Sequence, residues 1–216
     1  MTLGQMEAET LRLIFANTNN VIGDGDMDTV AQNPDYEVYM RGMVGAINRC
    51  FSDLVNKHVL PIRSKILDAE KGEWVGNTVR FDLPAVAPDC ADVEKVVVDG
   101  IYYSGYVADA DVRREGDTLI VAGGLFDYDT TVRVIYFPAI SPLAQSAPYE
   151  TVIPVPDRIA VWIPYYLKSE LYRADEPNEA GEARNFYESA MADILAATGG
   201  RNGQVRVDNV YSSEEM

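Results

Sequence analysis

In the stretch DGDMD, Asp24, Asp26 and Asp28 alternate, and Asp35 stands where a twelve-residue calcium loop carries its last ligand. Oxygen ligands at this spacing suit Ca2+. The pattern departs at two positions: Thr29 replaces the glycine of the sharp turn, and Asp35 replaces the longer glutamate that chelates with both oxygens. A solvated loop is the expected state, and no metal is assigned. His58 is the only histidine, which removes most nucleophile-and-base and histidine–metal designs. Its expected place is the C-terminal end of a helix. Cys50 and Cys90 are widely spaced, and two free thiols are expected in preference to a disulfide. With 34 Asp and Glu residues, a carboxylate pair is available anywhere by chance, and none stands out. There is no phosphate-cradling glycine loop, Cys-x-x-Cys pair or Ser-centred elbow; GGLFDYD follows a strand pattern but opens no helix. The reading is therefore not an enzyme: no catalytic residue and no cofactor is assigned.

Charge narrows the partners. The 216 residues carry 34 acidic against 18 basic side chains, a net charge of −16, and a pI near 4.3. Such a chain repels phosphate backbones, whose binding rests on Lys and Arg displacing counterions. Tight nucleic-acid binding is not expected. The start, MTLGQMEAETLRLIF, lacks a basic opening and a continuous apolar run, and no segment approaches the ~20 apolar residues of a membrane span. Folding in a cytoplasm is the expectation.

The elements that would position any site are helical at both ends. Residues 2–16 predict a helix capped by Thr2, with Leu3, Met6, Leu13 and Ile14 near one face. A loop rich in Asn, Gly and Asp follows. Helical period resumes at Tyr36, with Asp35 as N-cap, and Met40, Met43, Val44, Ile47, Phe51, Leu54 and Val55 repeat through to Lys57 before Pro61. From about Trp74 the period becomes two. TVRFDL, VEKVVVDGIYY, DTLIVAGG and TTVRVIYFPAI are β-branched or aromatic runs broken by Gly, Pro and Asp, which predicts short antiparallel strands. Asp99-Gly100 predicts a tight hairpin, Gly123-Gly124 a turn, and Pro138 an end to the last strand near Phe137. The aromatics of this region, Tyr102, Tyr103, Tyr106, Tyr128, Tyr136 and Phe137, suit core and cross-strand packing; glycan stacking or a protein interface is the other use.

After a proline-rich connector at 141–155, helices return. Asp157 is a candidate cap, and Ile159, Trp162, Ile163, Tyr166, Leu167 and Leu171 form a broad apolar face that Pro164 must kink or delay. The acidic turn ADEP follows, with Asp175 as N-cap and Pro177 in the first turn. Ala180, Ala183, Phe186, Tyr187, Ala190, Met191, Ile194 and Leu195 are the next stripe, and Gly199-Gly200 ends it. Asp175, Glu176 and Glu179 place negative charge at a helix N-terminus, where the dipole favours it. The tail, RNGQVRVDNVYSSEEM, alternates Val205 and Val207 with polar residues before Val210 and Tyr211; it is either a strand for a neighbour's sheet edge or a frayed terminus.

The fold class expected is α+β: a bundle of about four helices with an inserted antiparallel β domain and an extended C-terminal tail. The segments are 1–65 (N-terminal helices), 74–146 (β domain), 150–199 (helical hairpin) and 200–216 (tail). In this order of elements, with Ile47-Asn48 in the early helix, Tyr136 and Pro138 at the last strand, and Asp175, Glu176, Pro177 and Ala180 at the hairpin turn, the chain resembles the head-to-tail connector (adaptor) proteins of tailed bacteriophages. Its β insertion is larger than that of the smallest all-helical adaptors. The resemblance implies a structural virion protein of the neck, made in the bacterial cytoplasm. It implies a homo-oligomeric ring, usually of twelve subunits, that binds the portal protein above and a tail or nozzle protein below and passes DNA through its lumen as cargo, with no membrane partner. On that reading Val205, Val207, Val210 and Tyr211 bind the portal or a neighbour, and Tyr166, Leu171, Phe186 and Tyr187 pack subunit on subunit. The alternatives are another neck or tail-completion protein, or a carbohydrate-binding β module.

Overall fold

The computed structural model describes residues 1–15, 30, 33–104, 111–125 and 130–199. Asp24, Asp26 and Asp28, Tyr106 and Tyr128, and the tail residues Val205, Val207, Val210 and Tyr211 lie outside them. The chain forms two compact units: Met1–Met43 with Pro148–Ile153 and Asp157–Met216, and Val44–Ala147 with Pro154–Pro156. It is an α+β protein, with helices and two four-stranded antiparallel sheets.

The first unit is helical. Helix α1 (Leu3–Ile14) opens with a capping box: the Gln5 amide donates to Thr2 Oγ1 at 3.3 Å and the Thr2 amide to Gln5 Oε1 at 2.8 Å. Two further first-turn amides, Leu3 and Gly4, donate to the carbonyls of Thr151 and Tyr149 at 2.8 and 2.9 Å. The connector thus satisfies donors that a helix leaves orphaned at its start. Helix α2 (Pro34–Asn56) contributes Pro34–Met43 to this unit and its remainder to the other. Asp35 is inside the first turn and not the cap; the Asn33 side chain accepts from the Asp35 amide at 3.0 Å instead.

Pro164 has the effect expected of it. A short helix, α4 (Asp157–Ala160), stops before Trp162, and α5 (Ile163–Leu171) starts with Pro164 in its first turn. There the missing amide would be unsatisfied in any case. Helix α6 (Pro177–Gly199) returns alongside α5. Leu3, Met6, Leu11, Ile159, Ile163, Leu167, Tyr187 and Met191 are at most 1% exposed and form this unit's core.

The second unit carries the β structure. One sheet orders β1 (Arg63–Leu67), β8 (Val132–Pro138), β4 (Cys90–Val98) and β5 (Ile101–Ser104). The other orders β2 (Glu73–Val75), β3 (Thr78–Asp82), β7 (Thr118–Ala122) and β6 (Val112–Glu115). A four-residue helix, α3 (Leu83–Val86), follows β3. Alternate residues of both sheets meet in one core: Val79, Phe81, Leu119 and Val121 from one, Leu67, Val93, Val96, Val98, Val132 and Val134 from the other. Period two in the sequence is the cause, since alternate side chains share a face. Asp99 and Gly100 take φ of 46° and 84°, the pair of positive values that a type I′ hairpin needs. Gly76 and Gly116 turn two more hairpins at φ near 60°.

Strand β1 departs from the expected segments: sheet begins at Arg63, eleven residues before the period change near Trp74. Its first four residues are exposed and only Leu67 is buried, so it carries no alternation to read. The last strand includes Pro138, paired with Cys90 at the sheet's end.

Candidate assembly surfaces

The hairpin of α5 and α6 separates its aromatic residues into an inner and an outer set. Tyr166 and Tyr187 are 6% and 0% exposed and meet edge to face, ring centroids 5.1 Å apart. The Arg184 guanidinium lies over both rings, at 4.6 and 5.6 Å, and is held by Glu188 at 2.8 Å. Such ring pairs and a stacked cation add of order 1 kcal/mol each beyond burial. Both tyrosines are thus committed to the unit's own interior, and Leu171 is half-buried with its Cδ2 pressed toward Gly42.

Phe186 does the opposite. It is 59% exposed, although the helical stripe predicted it inward beside Tyr187. Its ring meets Tyr165 at 6.0 Å, and Tyr165 meets Trp162 at 5.6 Å, forming an aromatic row next to Val161, itself 50% exposed. The break between α4 and α5 is what places Val161 and Trp162 at the start of this row. Of the four hairpin residues expected at subunit contacts, Tyr166 and Tyr187 are buried, Leu171 is half-buried and Phe186 is exposed, with exposed Val161 and half-buried Trp162 and Tyr165 beside it. Adjacent residues on a helix differ by about 100°, so period alone could not choose between Phe186 and Tyr187.

The acidic turn has a structural task. Asp175 is not the N-cap of α6, because Pro177 is the first helical residue; its Oδ2 accepts the Tyr39 hydroxyl at 2.6 Å. Burial first, then that hydrogen bond, raises the Tyr39 pKa. Glu179 holds Lys168 Nζ at 2.8 Å, and the same ammonium donates to the Leu13 carbonyl at 2.8 Å, near the C-terminal end of α1. The turn therefore ties α1, α2 and the hairpin into one unit.

In the β unit, His58 sits just past the end of α2 with φ of 53°, its ring stacked on Phe137 at 4.0 Å and its Nε2 3.8 Å from Asp92. Arg114 donates to the other Asp92 oxygen at 2.7 Å. These groups meet where β4 slips register against β8 between Cys90 and Asp92 and again between Val93 and Lys95. The slip, which no local pattern reveals, brings the histidine to an acid. It does not create a nucleophile: burial pushes the Cys90 thiol up, and a thiol is far less reactive than a thiolate. Cys50 and Cys90 are both free.

Tyr136 is buried, donates to Asp89 at 2.8 Å, and its pKa is pushed up to about 12 by burial and by that bond; Arg63 pairs with the same carboxylate. Asn48 holds the backbone of Leu143 from both sides, donating to its carbonyl at 3.0 Å and accepting from its amide at 2.8 Å. Among the described residues no group of three His, Cys, Asp or Glu side chains could hold a metal ion, and no helix is long and apolar enough to cross a membrane. Neither a protein-family model nor a curated protein sequence matches this chain.

Proposed function

We propose that the protein is a structural, ring-forming component of a bacteriophage neck, a head-to-tail connector that docks on a portal and passes DNA through its lumen. The observation that carries this is the row of Trp162, Tyr165 and Phe186 beside Val161, half-buried at Trp162 and Tyr165 and exposed at Phe186 and Val161, on a hairpin whose inner aromatics are already buried. Aromatic residues on an otherwise polar helix face are the usual anchors of protein interfaces. The net charge of −16 supports the same reading, because an acidic lumen repels DNA and lets it slide. The ring needs no catalyst and no cofactor. Residues 201–216 are assigned to the portal or to a neighbouring subunit.

The test is gradient sedimentation of the chain with and without the portal protein encoded in the same genome, followed by imaging of the heavy fraction. Rings below the portal are the expected result. Phe186→Glu should abolish them with helicity unchanged, and deletion of residues 201–216 should leave a folded chain that no longer joins the portal. A chain that stays light beside assembled portal would overturn the reading and advance the other neck-protein and glycan-binding alternatives.

A further inference from the structure

Two sheet edges of the β unit carry opposite charge. Strand β1 ends one sheet and exposes Arg63, Ser64, Lys65 and Ile66, the last to 58%. Arg63 is held by Asp89, whereas Lys65 has no ion-pair partner among the described residues. Strand β2 ends the other sheet and exposes Glu73, Trp74 and Val75, with Trp74 at 54% and Val75 at 39%. Glu73 likewise has no ion-pair partner among the described residues.

An edge strand leaves a row of backbone donors and acceptors unpaired, and charged side chains there ordinarily keep other strands away. Like charges directly across a ladder are destabilising and opposite charges stabilising. A β1 edge against another β1 sets Arg63 and Lys65 against the same cations, and β2 against β2 sets Glu73 against itself. The same residues that bar both like pairings favour the unlike one. In a chain of net charge −16, two copies also repel at long range. A basic strand is therefore an unusual place for a second copy to approach, and an acidic, apolar strand is its match.

We propose that the β1 edge of one copy pairs with the β2 edge of a second copy. Lys65 and Glu73 form an ion pair across this added ladder, and Ile66 and Trp74 cover one another. The contact is separate from the aromatic row of the hairpin and does not depend on the connector reading.

Sedimentation velocity of the full chain over a wide concentration range tests it, with K65E, E73K and the double charge swap K65E/E73K. Each single reversal should weaken self-association at least about tenfold. The double variant, whose edges are again complementary, should return to within about threefold of the unaltered chain. Lys65 lies opposite Val134 in its own sheet, so K65E should leave far-UV circular dichroism and melting temperature unmoved. Glu73 lies opposite Arg80, so E73K should keep the circular dichroism and lower the melting temperature slightly. In self-association K65Q and E73Q, which remove charge without reversing it, should fall between. A chain that is monomeric throughout overturns the proposal. So does association that single reversals leave unchanged, or a double variant as weak as the singles. F186E run in parallel separates the two surfaces: association lost in F186E but untouched in the edge variants would overturn the edge contact and leave the hairpin standing.

Discussion

Glu7 gives the helical unit a pH dependence opposite in sign to that of most carboxylates. It lies on α1, 3% exposed, with Oε2 lacking any hydrogen-bond partner among the described residues. Burial raises its pKa from 4.5 to about 7. Because the folded value lies above the unfolded one, the protonated form is the one that folding favours. The stability it contributes is complete below pH 4.5 and is lost as pH rises to about 7. Each pH unit in that window is worth about 1.4 kcal/mol, so the interval from 4.5 to about 7 amounts to about 3 kcal/mol. Glu7→Gln removes the ionisation and keeps the shape. Urea titrations of both proteins from pH 4 to 8 read the difference directly, and subtraction cancels every other titrating group. The variant should gain about 3 kcal/mol on the parent between pH 4 and 8, nearly all of it below pH 7.5. A difference that stays flat across the range would refute the claim that this carboxyl is desolvated.

Three other substitutions separate packing from backbone effects. Gly181 lies in the exposed face of α6 with nothing within 4 Å of an added Cβ, so Gly181→Ala should stabilise by about 0.5–1 kcal/mol in a thermal melt. Gly123 is the converse: a Cβ there would sit 2.9 Å from the Asn77 carbonyl oxygen, and that carbonyl already accepts the Gly123 amide at 2.7 Å. Gly123→Ala should therefore destabilise by about 1–3 kcal/mol, measured by urea denaturation. Asn48→Ala leaves both backbone groups of Leu143 without their partner and should destabilise by about 1–3 kcal/mol, with hydrogen exchange at the Leu143 amide accelerated.

What the sequence made legible was local. The Asp99-Gly100 turn, the Thr2 cap and the helix delayed by Pro164 each depend on a residue's own dihedral preferences or on neighbours a few positions away. What it hid was settled by distant partners. Asp175 has the composition of a cap, and only the fold brings Tyr39 to it across 136 residues. Strand β1 owes its existence to pairing with β8, from Arg63 opposite Tyr136 to Leu67 opposite Val132, and its own residues carry no period. The outward turn of Phe186 is a third case, decided when Tyr187 took the interior place beside Tyr166. The α+β class could be read early for the same reason: helical and two-residue periods are properties of short windows.

The capping of α1 by Thr151 and Tyr149 has a consequence for synthesis. Its first-turn amides wait for carbonyls almost 150 residues downstream, and the α5 helix against which it packs comes later still. Between Met43 and Gly199 the ribosome must add 156 residues (199 minus 43), roughly 8–30 s at about 5–20 residues per second. Within that interval the β unit is completed in sequence, at Pro156, and is free to fold, whereas Leu3, Met6, Leu11 and Ile14 still wait for the α5 helix. The nascent chain should thus carry a folded sandwich behind an amphipathic helix still seeking its partners. Chaperone binding or premature clumping of ribosome-bound chains should begin at that helix.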